Sequence, residues 1–281
     1  MSFLSSFALT LSACGGGDAS ASAPAISVVP AAATATPTPA PLQTPAPTPT
    51  PTAAASSASA ASVAMATLPA LDMRGNVLWN WSAPWLASEW GSVLGVVPWK
   101  FDHVTTAGTD VVLTMNQSGA AQLQAQGATP AYSQGLWEAD VSIPTLRSGV
   151  DVAAFYLYSN DTKDEVDFEF FGTLGLFATL HSGGKSSDSI KVAEAADFNG
   201  RRARLGIKID QSNGYIAMMI DGREVHRFQR ATAPVFPASA MKPFFDLQPG
   251  TPAQDSWLGH WNGFSSQADQ MQLIIHGYRY S

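Results

Sequence analysis

The chain has 281 residues, with 22 acidic against 15 basic side chains and a net charge of −7, so nucleic acid or another polyanion would be repelled rather than bound through counterion release. Cys14 is the single cysteine, which excludes an internal disulfide framework. No apolar run of about 20 residues is available to span a bilayer as a helix.

At the N-terminus, Phe3 to Leu11 forms a short apolar stretch, and Leu11-Ser12-Ala13-Cys14 resembles a bacterial lipobox, in which the thiol is diacylated and the preceding segment removed. The Lys or Arg expected near the start of such a leader is missing. Residues 1–14 are read as a lipoprotein signal peptide with Cys14 as its lipidation site, so the expected location is outside the cytoplasm, held to a bacterial membrane only by acyl chains. Residues 15–70 are Ala, Ser, Thr and Pro, with a Thr-Pro tract between Thr36 and Thr52 and one charged side chain, Asp18. Dense proline and little large apolar surface predict a disordered linker, which at about 3.1 Å per residue could reach roughly 150 Å. All eight Trp and all fifteen Lys and Arg follow Ala70, so residues 71–281 are expected to form one globular domain, a monomer.

Beyond Leu71 the pattern is short strands broken by turn residues. Val111 to Asn116, Ala121 to Gln126, Leu136 to Ile143 and Val152 to Tyr158 lead to an acidic strand near residue 165. Leu174 to His181, Arg202 to Ile209, Tyr215 to Ile220 and Met271 to Tyr278 follow, with Asn213-Gly214 and Asp221-Gly222 as hairpin turn pairs. Trp137, on a face with Ala139, Val141 and Ile143, is expected in the core. Arg201, Arg202 and Arg204 are expected on a solvated strand edge. No segment carries a helical apolar stripe, so the fold expected is all-β, two antiparallel sheets packed face to face.

The acidic strand reads Asp164-Glu165-Val166-Asp167-Phe168-Glu169-Phe170-Phe171-Gly172. Its period of two puts Glu165, Asp167 and Glu169 on one face and Val166, Phe168 and Phe170 on the other. Three like charges in a row are unfavourable on an ordinary exposed face, so the row calls for a function. At about 3.3 Å per residue the outer two α-carbons lie roughly 13 Å apart, and two extended Glu side chains leaning together leave carboxyls roughly 5 to 6 Å apart. A retaining glycosidase needs about 5 to 5.5 Å, one carboxylate attacking while the other protonates the leaving oxygen. Asp167 between them can set which carboxyl keeps its proton. His181, closing the next strand, is a candidate substrate contact.

That run resembles the active-site strand of glycoside hydrolase family 16, in the branch of bacterial lichenases and plant xyloglucan endotransglycosylases. Gly135-Leu136-Trp137-Glu138 and Trp257-Leu258-Gly259-His260-Trp261-Asn262-Gly263 resemble two further family segments in the same order. The resemblance implies a β-jelly-roll sandwich of the concanavalin A type, with Glu165 as nucleophile and Glu169 as acid and base. It also implies Trp257 as an aromatic beside the cleft, and Asp246, where the pattern has Asn, as a partner for a sugar hydroxyl. The expected substrate is a polysaccharide of β-1,3/1,4-glucan type cut within the chain, with no cofactor. Several sugar-binding positions depart from the pattern. Lys163 and Gln248 stand where Trp is expected, and glutamines between Ala121 and Gln126 stand where Glu and Arg are expected. His276 takes the place of an acidic calcium ligand, so no metal is expected. Two alternatives stay open: a transglycosylase on the same fold, and a glycan-binding surface lipoprotein without catalysis. Other chemistries find no footing. There is no Gly-x-Ser-x-Gly elbow, Gly184-Lys185-Ser186 has Thr179 where a phosphate loop needs glycine, and the five histidines include no zinc-like pair.

Overall fold

A computed structural model describes residues 65–281 except Val93 and Asp188. The expected signal peptide, the lipidation site at Cys14 and most of the linker lie outside these residues. Fifteen strands follow in chain order: β1 (Trp85–Ala87), β2 (Val104–Ala107), β3 (Asp110–Met115), β4 (Ala121–Ala125), β5 (Gly135–Ser142), β6 (Val150–Tyr158), β7 (Glu165–Phe171) and β8 (Leu176–Ser182). Then come β9 (Lys185–Ser186), β10 (Ile190–Ala193), β11 (Arg202–Asp210), β12 (Tyr215–Ile220), β13 (Arg223–Gln229), β14 (Lys242–Pro249) and β15 (Met271–Tyr280). Among the described residues the only α-helix is a single turn, α1 (Asp255–Leu258), and no helix is long and apolar enough to cross a membrane.

The strands form two antiparallel sheets. One runs β1-β4-β14-β6-β7-β8-β10, with β9 paired to β8; the other runs β13-β12-β11-β5-β15-β3-β2. The protein is therefore an all-β jelly-roll sandwich. Its core lies between the sheets, where Phe155, Phe168, Phe170 and Phe245 of the first meet Trp137, Leu113 and Leu273 of the second, all buried. Each such side chain contributes about 1.5 to 3 kcal/mol relative to exposure. Val166, Phe168 and Phe170 all point into this core, as the alternation of β7 requires, and Trp137 is buried as expected.

The turns follow local backbone demands. Asp221 and Gly222 both have positive φ, 51° and 76°, the signature of a two-residue hairpin between β12 and β13. Gly214 also has positive φ, but the β11–β12 connection is four residues long, fastened by Asp210 accepting from Asn213 and Ser212. Asn213-Gly214 is thus part of a longer loop rather than a two-residue pair.

Two expectations are corrected. Arg201 and Arg202 are solvated as expected, but Arg202 and Arg204 lie on β11, an interior strand between β12 and β5 rather than an edge. Arg202 grips Asp140 with two 2.8 Å bonds, and Arg204 is buried, donating to the Ala66 carbonyl at 2.7 Å. Residues 66–69, grouped with the linker on composition, pack on the domain. Leu68 is 3 % exposed, and the Pro69 carbonyl accepts from Tyr278 N–H. The packed unit thus begins before Leu71, because a leucine and two carbonyls have partners there.

Candidate active site

Strand β7 sits inside the first sheet, flanked by β6 and β8, and its acidic face turns away from the core. Asp164 anchors its start: the carboxylate accepts from Ser182 Oγ at 2.6 Å and from the backbone N–H groups of Ala238 and Ser239 at 2.9 Å. Burial opposes the charge of Asp164, but these donors outweigh it and hold the group below the usual carboxylate range. Across the ladder, Glu165 lies opposite Tyr158 and His181, Asp167 opposite Tyr156 and Thr179, and Glu169 opposite Ala153 and Phe177. Glu165 and Asp167 are buried, whereas Glu169, facing a small alanine, is partly open.

His181 reaches diagonally to Asp167, its Nε2 2.9 Å from Oδ2. Neither oxygen of Asp167 has an aligned hydrogen-bond donor, so this is a close contact rather than a directed bond. The other ring nitrogen of His181 meets Ser186 Oγ at 2.7 Å. One donor atom from each of Glu165, Asp167 and His181 lies within 4.8 Å of the other two, the only cluster among the described residues with a spacing that suits a metal ion. The same closeness suits shared protons, and Ser186 already orients the imidazole. His276 is on the opposite sheet, held between Asp110 Oδ2 at 2.9 Å and Ser142 Oγ at 2.7 Å.

Two further carboxylates join the row. Asp246 of β14 is buried, with Oδ2 accepting from Tyr156 Oη at 3.2 Å and Gln122 Nε2 at 3.3 Å. Gln122 Oε1 in turn accepts from Ser88 Oγ, and Ser88 Oγ from Gln124 Nε2, so the glutamines of β4 knit the floor into a polar chain. Asp151 of β6 is 3 % exposed and its Oδ1 has no partner. Sequence reasoning missed Asp151 for a definite reason: it lies five residues before Tyr156, and strict alternation would send the two to opposite faces. A bulge at Ala154 inserts one residue, so Ala154 and Phe155 both face the core while Asp151, Ala153 and Tyr156 face the cleft.

Burial and mutual repulsion push this set upward. Burial, then Asp167, raises Glu165; burial, then Asp151, raises Asp167; burial, then Asp167 and Glu165, raises Glu169. Asp151 rises through burial and then Glu169, and burial carries Asp246 to about 7 against its two hydrogen bonds. Burial thus favours the protonated form at each of the five carboxyls, and four of them are pushed further by a neighbouring carboxylate. His181, itself lowered by burial, opposes the rise at Glu165.

Trp257 stands on α1 beside the Glu169 end of the row. Its ring meets Phe171 edge-on at 4.9 Å, and Phe171 stacks on Phe177 at 4.6 Å. Gly172, with φ of 54°, lets this loop approach, since a Cβ there would lie 2.2 Å from the Leu258 carbonyl. The structure therefore brings Glu165, Asp167, Glu169, His181 and Asp246 onto one face, with Trp257 at its end.

A cluster of carboxyls on the outward face of one sheet of a jelly-roll frame is the arrangement of a protein that acts on carbohydrate. The model of Glycosyl hydrolases family 16 matches residues 96–266, and the chain belongs to that family. Among curated proteins, xyloglucan endotransglucosylase/hydrolase protein 3 of Arabidopsis thaliana is 39 % identical over 80 residues, 27 % of this chain and 27 % of that protein. The xyloglucan endotransglucosylase/hydrolase protein 2 of the same plant is 35 % identical over 86 residues, 28 % of this chain and 30 % of the relative, so the matches span about a third or less of either relative. Among solved structures, a Bacillus licheniformis β-glucanase superimposes with a TM-score of 0.62 at 18 % identity, covering 76 % of this chain and 96 % of that one. A lichenase from a mouse hindgut metagenome gives 0.59 at 18 % identity, covering 70 % and 92 %. At such identities the likeness is one of fold.

Proposed function

We propose that the protein is a retaining endo-β-glycosidase acting on a polysaccharide of β-1,3/1,4-glucan type. The observation that carries this reading is the placement of Glu165 and Glu169 on the face of β7 turned away from the core, with Asp167 between them. Glu165 is the nucleophile: His181 lies directly across the ladder from it, whereas Phe177 takes that place opposite Glu169. The Glu165 carboxylate attacks the anomeric carbon while Glu169 gives its proton to the departing glycosidic oxygen, leaving a glycosyl ester. Glu169 then takes a proton from water, whose oxygen displaces Glu165 and restores the β configuration. Asp167, paired with His181, is a positioning residue that repels a second charge and so helps Glu169 keep its proton. Trp257 and Asp246 bind sugar, the first by its ring and the second through a hydroxyl.

Replacing Glu165 or Glu169 by Gln tests the assignment. Each variant is expected to lose activity by at least about a hundredfold in a reducing-end assay on a panel of soluble polysaccharides, while melting as the parent does. Comparable turnover in either variant contradicts it.

The curated relatives support a second reading, transfer of the glycosyl group to another sugar chain instead of to water. Product sizing separates the two, since transfer makes longer chains and few new reducing ends. The protein acts as a monomer at a bacterial envelope, tethered through Cys14. Mass spectrometry of the mature N-terminal peptide checks the tether, with a diacylated cysteine as the expected species.

A further inference from the structure

Beside the edge strand β1, four strands from the acidic row, the chain carries an aromatic cluster. Trp79, Trp81 and Trp90 lie with ring centroids 6.1 to 6.3 Å apart, all three distances nearly equal, so the rings form a triangle rather than a column. Trp99 closes one side, edge-on to Trp90. Trp79 and Trp81 are 55 % and 48 % exposed, and Val77 and Leu78 beside them are exposed as well. An apolar patch of this kind on a protein surface marks a binding site.

The loop that presents it is fastened. Asn80 Nδ2 donates to the Gly75 carbonyl at 2.7 Å, Ala87 N–H donates to Asn76 Oδ1 at 3.0 Å, and Gly127 N–H donates to the Trp81 carbonyl at 2.9 Å. Trp79 is held at φ of 66°, a left-handed conformation that a bulky side chain adopts at a cost of about 1 to 3 kcal/mol. The fold thus spends stability to hold indole rings outward.

The patch borders the cleft. Ser88, just beyond β1, joins the polar floor through Gln122 and Gln124, Ser92 Oγ donates to Gln248 Oε1 at 2.5 Å, and Trp90 lies between these two serines in the chain. From β1 to β7 are four inter-strand steps, about 19 Å at the usual spacing. A chain crossing the strands from the acidic row therefore arrives at these rings after several sugars. The basic side chains of this segment, Arg74 and Lys100, are paired with Asp72 and Glu89, which disfavours an acidic ligand. Sugars present apolar C–H faces that stack on indole, and an uncharged glycan fits both features.

We propose that Trp79, Trp81 and Trp90 form a second binding surface that holds the uncharged polysaccharide chain where it leaves the cleft. The inference rests on the glycosidase reading. It is tested in the Glu165→Gln background, which binds without cutting, by electrophoresis through gels containing mixed-linkage β-1,3/1,4-glucan. Trp79→Ala with Trp81→Ala is expected to weaken retardation about fivefold or more, and Tyr at both positions is expected to keep most of it. Matched thermal melts confirm that these exposed substitutions leave the fold intact. Equal retardation of the Ala variant overturns the inference, as does loss of binding to phosphatidylcholine vesicles instead of glucan. A parent enzyme that cleaves the glucan while the Ala variant is retarded unchanged removes this inference alone. A parent that neither cleaves nor binds it removes the glycosidase reading as well.

Discussion

Asp246 shows how the cleft trades stability for charge. Burial carries it from 3.8 to about 7, so the folded protein binds its proton more tightly than the unfolded chain does. A raised carboxyl adds stability below its unfolded value and loses that contribution as pH climbs through the folded one. Stability attributable to Asp246 should therefore fall from about pH 4 to about pH 7. Asp246→Asn, which still accepts from Tyr156 and Gln122, is expected to melt above the parent by a margin that grows over this range. Melts at pH 4, 5.5 and 7.5 check it, and a margin that shrinks with pH contradicts the sign. Asp246 was legible in the sequence only through its family position. Asp151 left no such signal, because the bulge that turns it toward the cleft is invisible to a period-of-two reading.

Strand β7 was readable because its two faces differ in every residue: acid, apolar, acid, apolar. β14 was not readable as a strand, since Pro243 and Pro249 look like breakers in a central position. Both sit at its extremities, and between them Phe244, Asp246 and Gln248 face the cleft while Phe245 and Leu247 face the core. The arginines of β11 were misplaced for a related reason, because charge alone suggested an edge while Asp140 was already waiting on β5. The bulge in β6 offers a test at this scale. Deleting Ala154 leaves Asp151 four residues before Tyr156, so strict alternation then keeps both on the cleft face, and the deletion is expected to cost under about 3 kcal/mol in denaturant unfolding, mainly the burial of one alanine. A loss above about 4 kcal/mol, as for a carboxyl forced into the core, would mean that the extra residue at Ala154 does not set the face of Asp151.

For the molecule as a whole, the boundary of the packed unit has a measurable consequence. A chain starting at Leu71 lacks Leu68 in its pocket and the carbonyl that receives Arg204, together worth roughly 3 to 6 kcal/mol. It is expected to melt on the order of 10 °C below a chain starting at Met65. Equal melting would place residues 66–69 outside the cooperative fold. Composition separated the polar tract from the sandwich to within a few residues, and missed these because Leu68 is a lone apolar side chain at the end of a featureless stretch. In the proposed reading, the sandwich presents the acidic face of β7 to a polysaccharide, with Glu165 and Glu169 acting on one linkage. Following the anomeric protons of the first product by NMR during cleavage of mixed-linkage glucan tests this most directly. The β anomer should appear first, with the α anomer growing only by later mutarotation. Release of the α anomer first would contradict attack by Glu165 and with it the whole account.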